Sequence, residues 1–150
     1  MRKVRILLAD DHPMVCEIVE CLLKPNCQIV ASVGDGQALI QAASRLEPDV
    51  IVTDISMPVL NGIEAANRLK KSGSTSITIF LTVHQDPDFI KACFAVGALA
   101  YVSKQRMTTD LWPAIQEVLV KVPIQVQIRF AASLATRDRR FDGLYPTRRG

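Results

Sequence analysis

The sequence is short of several residues that particular classes of protein require. Histidine occurs only twice, and the four cysteines, at positions 16, 21, 27 and 93, form no Cys-x-x-Cys pair. This scarcity argues against a zinc site and favours reduced, mostly buried thiols over a disulfide framework. The chain is nevertheless 49% apolar, which is enough hydrophobic surface for a packed core.

Long hydrophobic runs are also missing. The first apolar run, Val4–Ala9, follows a basic N-terminus but stops at Asp10, so it is too short for the core of a signal peptide. No other run approaches the length of a membrane-spanning helix. We therefore expect no membrane association and a location in the cytoplasm.

Positive charge is concentrated at the C-terminal end of the chain. Residues 123–150 contain six Arg and two Asp, a net charge of +4, and the whole chain carries +3, which leaves −1 for residues 1–122. Arg residues with three aromatic residues among them are a weak signal of nucleic-acid binding, and we favour a solvated, partly disordered end. We therefore divide the chain into a folded domain, residues 1–122, and a basic extension, residues 123–150. We expect no DNA binding from the folded domain.

Short apolar runs alternate with helical patterns along the folded domain. The expected strands are residues 4–9, 28–33, 50–53, 77–82 and 99–102. Apolar residues at helical spacing between and after these runs predict five helices. In the last helix we expect Thr109 or Asp110 to be the cap and Pro113 to lie in the first turn. Continuous apolar strands that alternate with helices indicate an α/β domain with a doubly wound, five-stranded parallel sheet.

Polar residues follow the predicted strands at the edge where open α/β sheets bind ligands. They are Asp10 and Asp11 after the first strand, Asp54 after the third, Thr82 at the end of the fourth, and Ser103 and Lys104 after the fifth. Each of these residues alone is most simply a cap, a turn or a strand-end residue. Three carboxylates, a hydroxyl and an ammonium group at one edge together indicate a functional site.

Phosphoryl transfer is the chemistry that this set of groups suits best. Three adjacent carboxylates repel one another, and Mg²⁺ relieves that repulsion with oxygen ligands. One carboxylate can then attack phosphorus, while Lys104 and the Thr82 hydroxyl bind the phosphoryl oxygens. His84, two residues after Thr82, is interpreted as a loop residue that tunes water access. A Mg²⁺-dependent phosphohydrolase is a competing interpretation, but no cap domain or insertion is present to form its substrate pocket.

Four segments resemble the receiver domains of bacterial two-component response regulators. They are LLADDHPMV (7–15), DVIVTDISMPVLNGIEA (49–65), IFLTVH (79–84) and GALAYVSK (97–104). The resemblance covers residues 3 to about 121 and implies a flavodoxin-like, CheY-like fold. It is closest to the subfamily usually fused to a helix-turn-helix output domain, although the 28 residues after Val122 are too few for one. A stand-alone receiver, a truncated chain and a diverged C-terminus all remain open.

The resemblance also implies a role for each acidic residue of the site. Asp10 and Asp11 match the acid pair that binds Mg²⁺. Asp54 matches the phosphoacceptor, which also contacts the metal, and Ser56 matches the position whose backbone carbonyl is a further metal ligand. In the family the phosphoryl group comes from a sensor histidine kinase. The resemblance thus implies a signalling domain rather than an enzyme in the usual sense, one that assists its own phosphotransfer and dephosphorylation.

The remaining matched residues belong to the switch that responds to phosphorylation. Thr82 and Lys104 match the hydroxyl and the lysine that bind the phosphoryl group, and Tyr101 matches the aromatic side chain that moves with the hydroxyl. In the family this movement changes the face made by the fourth helix, fifth strand and fifth helix. We expect that face to act on a partner, as a homodimer contact or in the control of an output such as transcription.

Overall fold

Strands and helices alternate throughout the computed structural model, which describes residues 3–121. The elements in chain order are β1 (Val4–Ala9), α1 (Pro13–Leu23), β2 (Cys27–Val33), α2 (Gly36–Leu46), β3 (Val50–Thr53), α3 (Gly62–Lys71), β4 (Ile77–Thr82), α4 (Pro87–Ala95), β5 (Ala100–Ser103) and α5 (Met107–Val120). A short 3₁₀ turn, Lys104–Arg106, connects β5 to α5. The predicted strands are all present, with β2 beginning one residue earlier and β5 displaced by one residue.

The five strands form one parallel sheet in the order β2-β1-β3-β4-β5. This is the flavodoxin-like arrangement, in which the strand order reverses beside β1 and ligands bind at the carboxyl ends of the strands. The prediction of a doubly wound parallel sheet is therefore confirmed.

Helices cover both faces of the sheet, which explains why each strand is apolar throughout. In β1, Ile6 and Leu8 belong to a core cluster that includes residues of α1 and α5, whereas Leu7 and Ala9 pack with residues of α2 and α3. Successive side chains of a strand point to opposite faces, so one strand contributes to both cores. A fully buried Leu or Ile side chain stabilises the fold by about 1.5–3 kcal/mol. Since β1 is packed into both cores, the position of its carboxyl end, where the site lies, is fixed from both faces of the sheet.

The start of α5 differs from the prediction. The helix begins at Met107, and its N-cap residue, Arg106, makes no capping bond with its side chain. Asp110 does not cap the helix, because its carboxylate accepts a 2.9 Å hydrogen bond from Nε of Arg106. Met107 packs against the core and so draws an additional turn into the helix. Pro113 consequently lies inside the helix rather than in its first turn. Because proline has no backbone N–H, it cannot donate the usual helical hydrogen bond to the carbonyl of Thr109.

The basic extension, residues 123–150, lies outside the described residues, so the expectation that it is partly disordered stays a prediction. In the described part of the chain, none of the helices has the length and apolar character needed to cross a membrane.

Candidate functional site

The strand register brings the predicted site residues to one edge of the sheet. Ala9 at the end of β1 pairs with Thr53 at the end of β3, so the residues that follow, Asp10 and Asp54, leave neighbouring strands together. On the other side, Thr82 at the end of β4 pairs with Ser103 at the end of β5, directly before Lys104. The expected convergence of these residues is thus a consequence of parallel register.

Lys104 joins two buried carboxylates at the centre of this edge. Its Nζ atom lies 2.6 Å from Oδ2 of Asp10 and 2.8 Å from Oδ2 of Asp54. The side chains are 9%, 6% and 4% exposed for Lys104, Asp10 and Asp54. Burial by itself would lower the pKa of Lys104, but hydrogen bonds and charges from the two aspartates outweigh it and raise that pKa. The ammonium group therefore stays charged and offsets the repulsion between the carboxylates.

The Asp54 carboxylate is held in a fixed orientation. Its Oδ1 atom accepts a 2.7 Å hydrogen bond from the backbone N–H of Ile55, and its own N–H donates to the carbonyl of Ala9. The hydroxyl of Thr53 donates to the Asp54 carbonyl at 2.9 Å. A Cβ atom at Gly62 would lie only 1.9 Å from that carbonyl oxygen, so only glycine fits there.

His12 links the two acids that follow β1. Its Nδ1 atom lies 3.1 Å from Oδ1 of Asp10 and 3.2 Å from Oδ1 of Asp11, and its backbone N–H donates to the same Asp10 oxygen. His12 is itself the N-cap residue of α1, without a capping bond from its side chain. Neither aspartate is therefore the cap residue, which was the simpler interpretation of each alone.

The acidic residues present a donor set that fits a divalent cation. Asp10, Asp11, His12 and Asp54 each offer one ligand atom, and these atoms lie within 4.8 Å of one another. Asp10 and Asp54 are buried, whereas Asp11 and His12 are exposed, so the cluster opens to solvent on one side. Three carboxylate oxygens beside open space are the ligands that Mg²⁺ prefers.

The loop between β4 and α4 connects several predicted residues through His84. The backbone N–H of His84 donates to Oγ1 of Thr82 at 3.2 Å, and its carbonyl accepts the hydroxyl of Tyr101. The imidazole Nε2 lies 2.7 Å from Oγ of Ser56, and the ring lies against Phe89 of α4, with 4.6 Å between ring centroids. Burial raises the pKa of the Tyr101 hydroxyl, which therefore acts as a donor at neutral pH.

Two residues of the site were not predicted from the sequence as parts of it. The Asn61-Gly62 pair is typical of a turn, and only the backbone packing against Asp54 shows why glycine is required at position 62. His12 directly precedes Pro13, the first residue of α1. Its position directly after two acids at a strand end was the available signal for its contact with them.

Comparison with known proteins agrees with this geometry. The family described as response regulator receiver domain matches residues 6–116. The DNA-binding transcriptional activator EvgA of Escherichia coli (strain K12) is 28% identical over 142 residues, which are 92% of this chain and 69% of that protein. The nitrate/nitrite response regulator protein NarP of the same organism is 34% identical over 114 residues, 75% of this chain and 53% of NarP.

A solved structure supports the same assignment. A two-component response regulator of the LuxR family from Aurantimonas sp. SI85-9A1 superposes with a TM-score of 0.75 at 28% identity, covering 89% of this chain and 96% of that one. The resemblance identified from the sequence is thereby confirmed, including its link to regulators that carry an output domain. With the family match spanning most of the described residues, the chain belongs to the response regulator receiver family of two-component signalling.

Proposed function

We propose that Asp54 is the phosphoacceptor of this receiver domain and that a sensor histidine kinase is the phosphodonor. The observation that carries the proposal is the position of the Asp54 carboxylate, 2.8 Å from the Lys104 ammonium at the carboxyl end of β3. A buried carboxylate beside a fixed cation can accept a dianionic group whose charge the cation offsets. At each strand end where the family has a site residue, this chain has a residue of the matching type, namely Asp10, Asp11, Asp54, Thr82 and Lys104.

The reaction forms an acyl phosphate. An oxygen of the Asp54 carboxylate attacks phosphorus, and the bond from phosphorus to the kinase imidazole nitrogen breaks, so that the electron pair returns to the imidazole. Lys104 and the Thr82 hydroxyl bind phosphoryl oxygens of the product. Hydrolysis later restores the carboxylate and releases inorganic phosphate, and the domain assists both steps through its own residues.

A Mg²⁺ ion fits the acidic donor set beside Asp54. The ligands from this chain would be carboxylates of Asp10, Asp11 and Asp54 and the backbone carbonyl of Ser56. When bound, the ion supplies positive charge to phosphoryl oxygens and offsets the repulsion among the carboxylates. Asp10 is held by the Lys104 ammonium and the His12 backbone, so it is oriented in advance for this role.

The response to phosphate depends on Thr82 and Tyr101. Both side chains bond the backbone of His84, so a shift of the Thr82 hydroxyl toward a phosphoryl group would disturb the Tyr101 contact as well. The loop that moves leads into α4, and Tyr101 lies in β5. This arrangement supports a changed face made of α4, β5 and α5, through which the domain forms a homodimer or controls a partner.

Transcription control is the output that the relatives favour. EvgA is named as a DNA-binding transcriptional activator, and this chain spans only part of it. Residues 1–122 carry a net charge of −1, and we propose that they do not bind DNA themselves.

We propose that the receiver domain ends near Val122, since helices already cover both faces of the sheet. A chain cut there should fold and take up phosphate, and failure to fold would contradict the boundary.

Incubation with acetyl phosphate and Mg²⁺, followed by mass spectrometry of peptides, tests the assignment. One phosphoryl group on the peptide that contains Asp54 is the expected result. Steady turnover of a generic phosphomonoester, without an accumulated phosphoprotein, would instead favour the phosphohydrolase interpretation.

A further inference from the structure

His12 is the one nitrogen donor in the group of four residues whose ligand atoms lie together. Its Nδ1 atom is nearly equidistant from two carboxylate oxygens, at 3.1 Å from Asp10 and 3.2 Å from Asp11. The contact to Asp10 is reinforced by the His12 backbone N–H, which donates to the same oxygen at 2.9 Å. The imidazole is therefore held over the acid pair although its side chain is 65% exposed.

These two separations suit an imidazole nitrogen that shares one metal ion with each carboxylate. Neighbouring ligands on an octahedral ion with bonds of 2.0–2.1 Å are about 3 Å apart. The Nδ1 atom is thus at ligand spacing from one oxygen of Asp10 and from one oxygen of Asp11. The exposed side of the cluster, formed by Asp11 and His12, leaves room for an ion to enter with water attached.

An imidazole changes which metal such a site prefers. Mg²⁺ selects oxygen ligands, whereas later first-row ions gain affinity from imidazole nitrogen in the order from Mn²⁺ to Ni²⁺ and Cu²⁺. We infer that Nδ1 of His12 is a further metal ligand of this domain and that it raises the affinity of the site for Ni²⁺ more than its affinity for Mg²⁺. This rests on the proposed function, because it takes Asp10 and Asp11 to be metal ligands.

Pulsed electron paramagnetic resonance of the Mn²⁺-loaded full chain tests the inference directly, because it detects a nitrogen nucleus bound to the metal. The chain has two histidines, so His12→Gln and His84→Gln form a matched pair. We expect nitrogen coupling in the wild type and in His84→Gln, and its loss in His12→Gln. Coupling that is absent from the wild type, or that persists in His12→Gln, would overturn the inference.

Metal affinities provide a second measurement. His12→Gln should weaken Ni²⁺ binding about tenfold, the cost of losing one good nitrogen ligand, and weaken Mg²⁺ binding by a clearly smaller factor. Equal factors for the two ions would mean that His12 only positions the carboxylates, and the inference would be wrong. Phosphate uptake with Mg²⁺ separates this result from the proposed function. Uptake without nitrogen coupling overturns the His12 ligand alone, whereas coupling without uptake supports the ligand and contradicts the phosphoacceptor.

Discussion

The ammonium nitrogen of Lys104 lies within 2.8 Å of both Asp10 and Asp54, so one buried cation ties together the ends of β1, β3 and β5. This contact makes the site a structural element as well as a chemical one. The same two carboxylates that would receive a metal and a phosphoryl group are buried, and they depend on Lys104 to offset their mutual repulsion.

Removing this cation should therefore destabilise the fold. Lys104→Met leaves two buried carboxylates without a counter-charge, and we expect a loss of about 3 kcal/mol in the free energy of unfolding. Urea denaturation without divalent ions is the appropriate measurement. The control is Lys121→Met, which removes an ion pair between a half-exposed ammonium group and Glu117 and should cost less than about 1 kcal/mol. Similar losses in the two variants would refute a buried, stabilising contact.

Glycine at position 62 is required by the backbone of the phosphoacceptor itself. Gly62→Ala would place a Cβ atom 1.9 Å from the carbonyl oxygen of Asp54, and backbone cannot yield as a flexible side chain does. We expect a loss of stability of about 3 kcal/mol, with slower phosphorylation of whatever folded protein remains. Gly34→Ala is the matched control, because its nearest neighbours lie 3.9 Å away. A stable, normally phosphorylated Gly62→Ala protein would be inconsistent with this packing.

The cysteines should differ widely in reactivity. Burial raises the pKa of Cys27 and of Cys93 to about 12, so at about pH 8 almost none of either is thiolate, the reactive form. Cys21 is exposed and should react first with a disulfide reagent such as Ellman's. Stopped-flow absorbance should show that one thiol reacts fast in the folded protein and that all four thiols react only in denaturant. Rapid modification of Cys93 in the folded protein would contradict its burial beneath α4.

The strands and most of the site could be predicted from the sequence because parallel-sheet strands are continuous apolar runs and ligands bind at their carboxyl ends. Asp10, Asp54, Thr82 and Lys104 each follow or end such a run, and the strand register brings them to one edge of the sheet. The order of the strands was less accessible, because hydrophobic periodicity carries no information about which strand lies beside which.

Other features depend on three-dimensional contacts that local patterns do not encode. The sequence pattern does not predict that α5 begins at Met107, because packing against the core draws this residue into the helix. The side chains of Thr109 and Asp110 form hydrogen bonds with Arg106 and with each other instead of capping the helix. The contact of the His84 imidazole with Ser56 likewise joins two residues that are 28 positions apart in the chain. Tertiary contacts of this kind override local propensity.

Thr82 should separate uptake of phosphate from the response to it. Thr82→Ala keeps the acceptor and the acids, so labelling should persist, perceptibly slower, but the hydroxyl that bonds the His84 backbone is lost. Phosphate can shift the population only through contacts that differ between the two states. With the phosphoryl mimic beryllofluoride, wild type should change hydrogen exchange in α4 and β5 and should self-associate in sedimentation, whereas Thr82→Ala should do neither.

The control for this comparison is Thr78→Ala, a change of the same kind earlier in β4, which should respond as wild type does. If Thr82→Ala responds to beryllofluoride as fully as the wild type, then Thr82 is not the relay, and Tyr101 must receive its signal by another route.

The central claim is that Asp54 accepts the phosphoryl group, and the most direct test is intact-protein mass spectrometry after incubation with acetyl phosphate and Mg²⁺. Wild type should gain the mass of one phosphoryl group, Asp54→Ala should gain none, and Asp11→Ala should gain far less because the site loses a metal-binding carboxylate. Asp110→Ala, which removes an aspartate on α5 away from the predicted ligands, should be labelled like the wild type. Labelling of Asp54→Ala at the wild-type level would contradict the account.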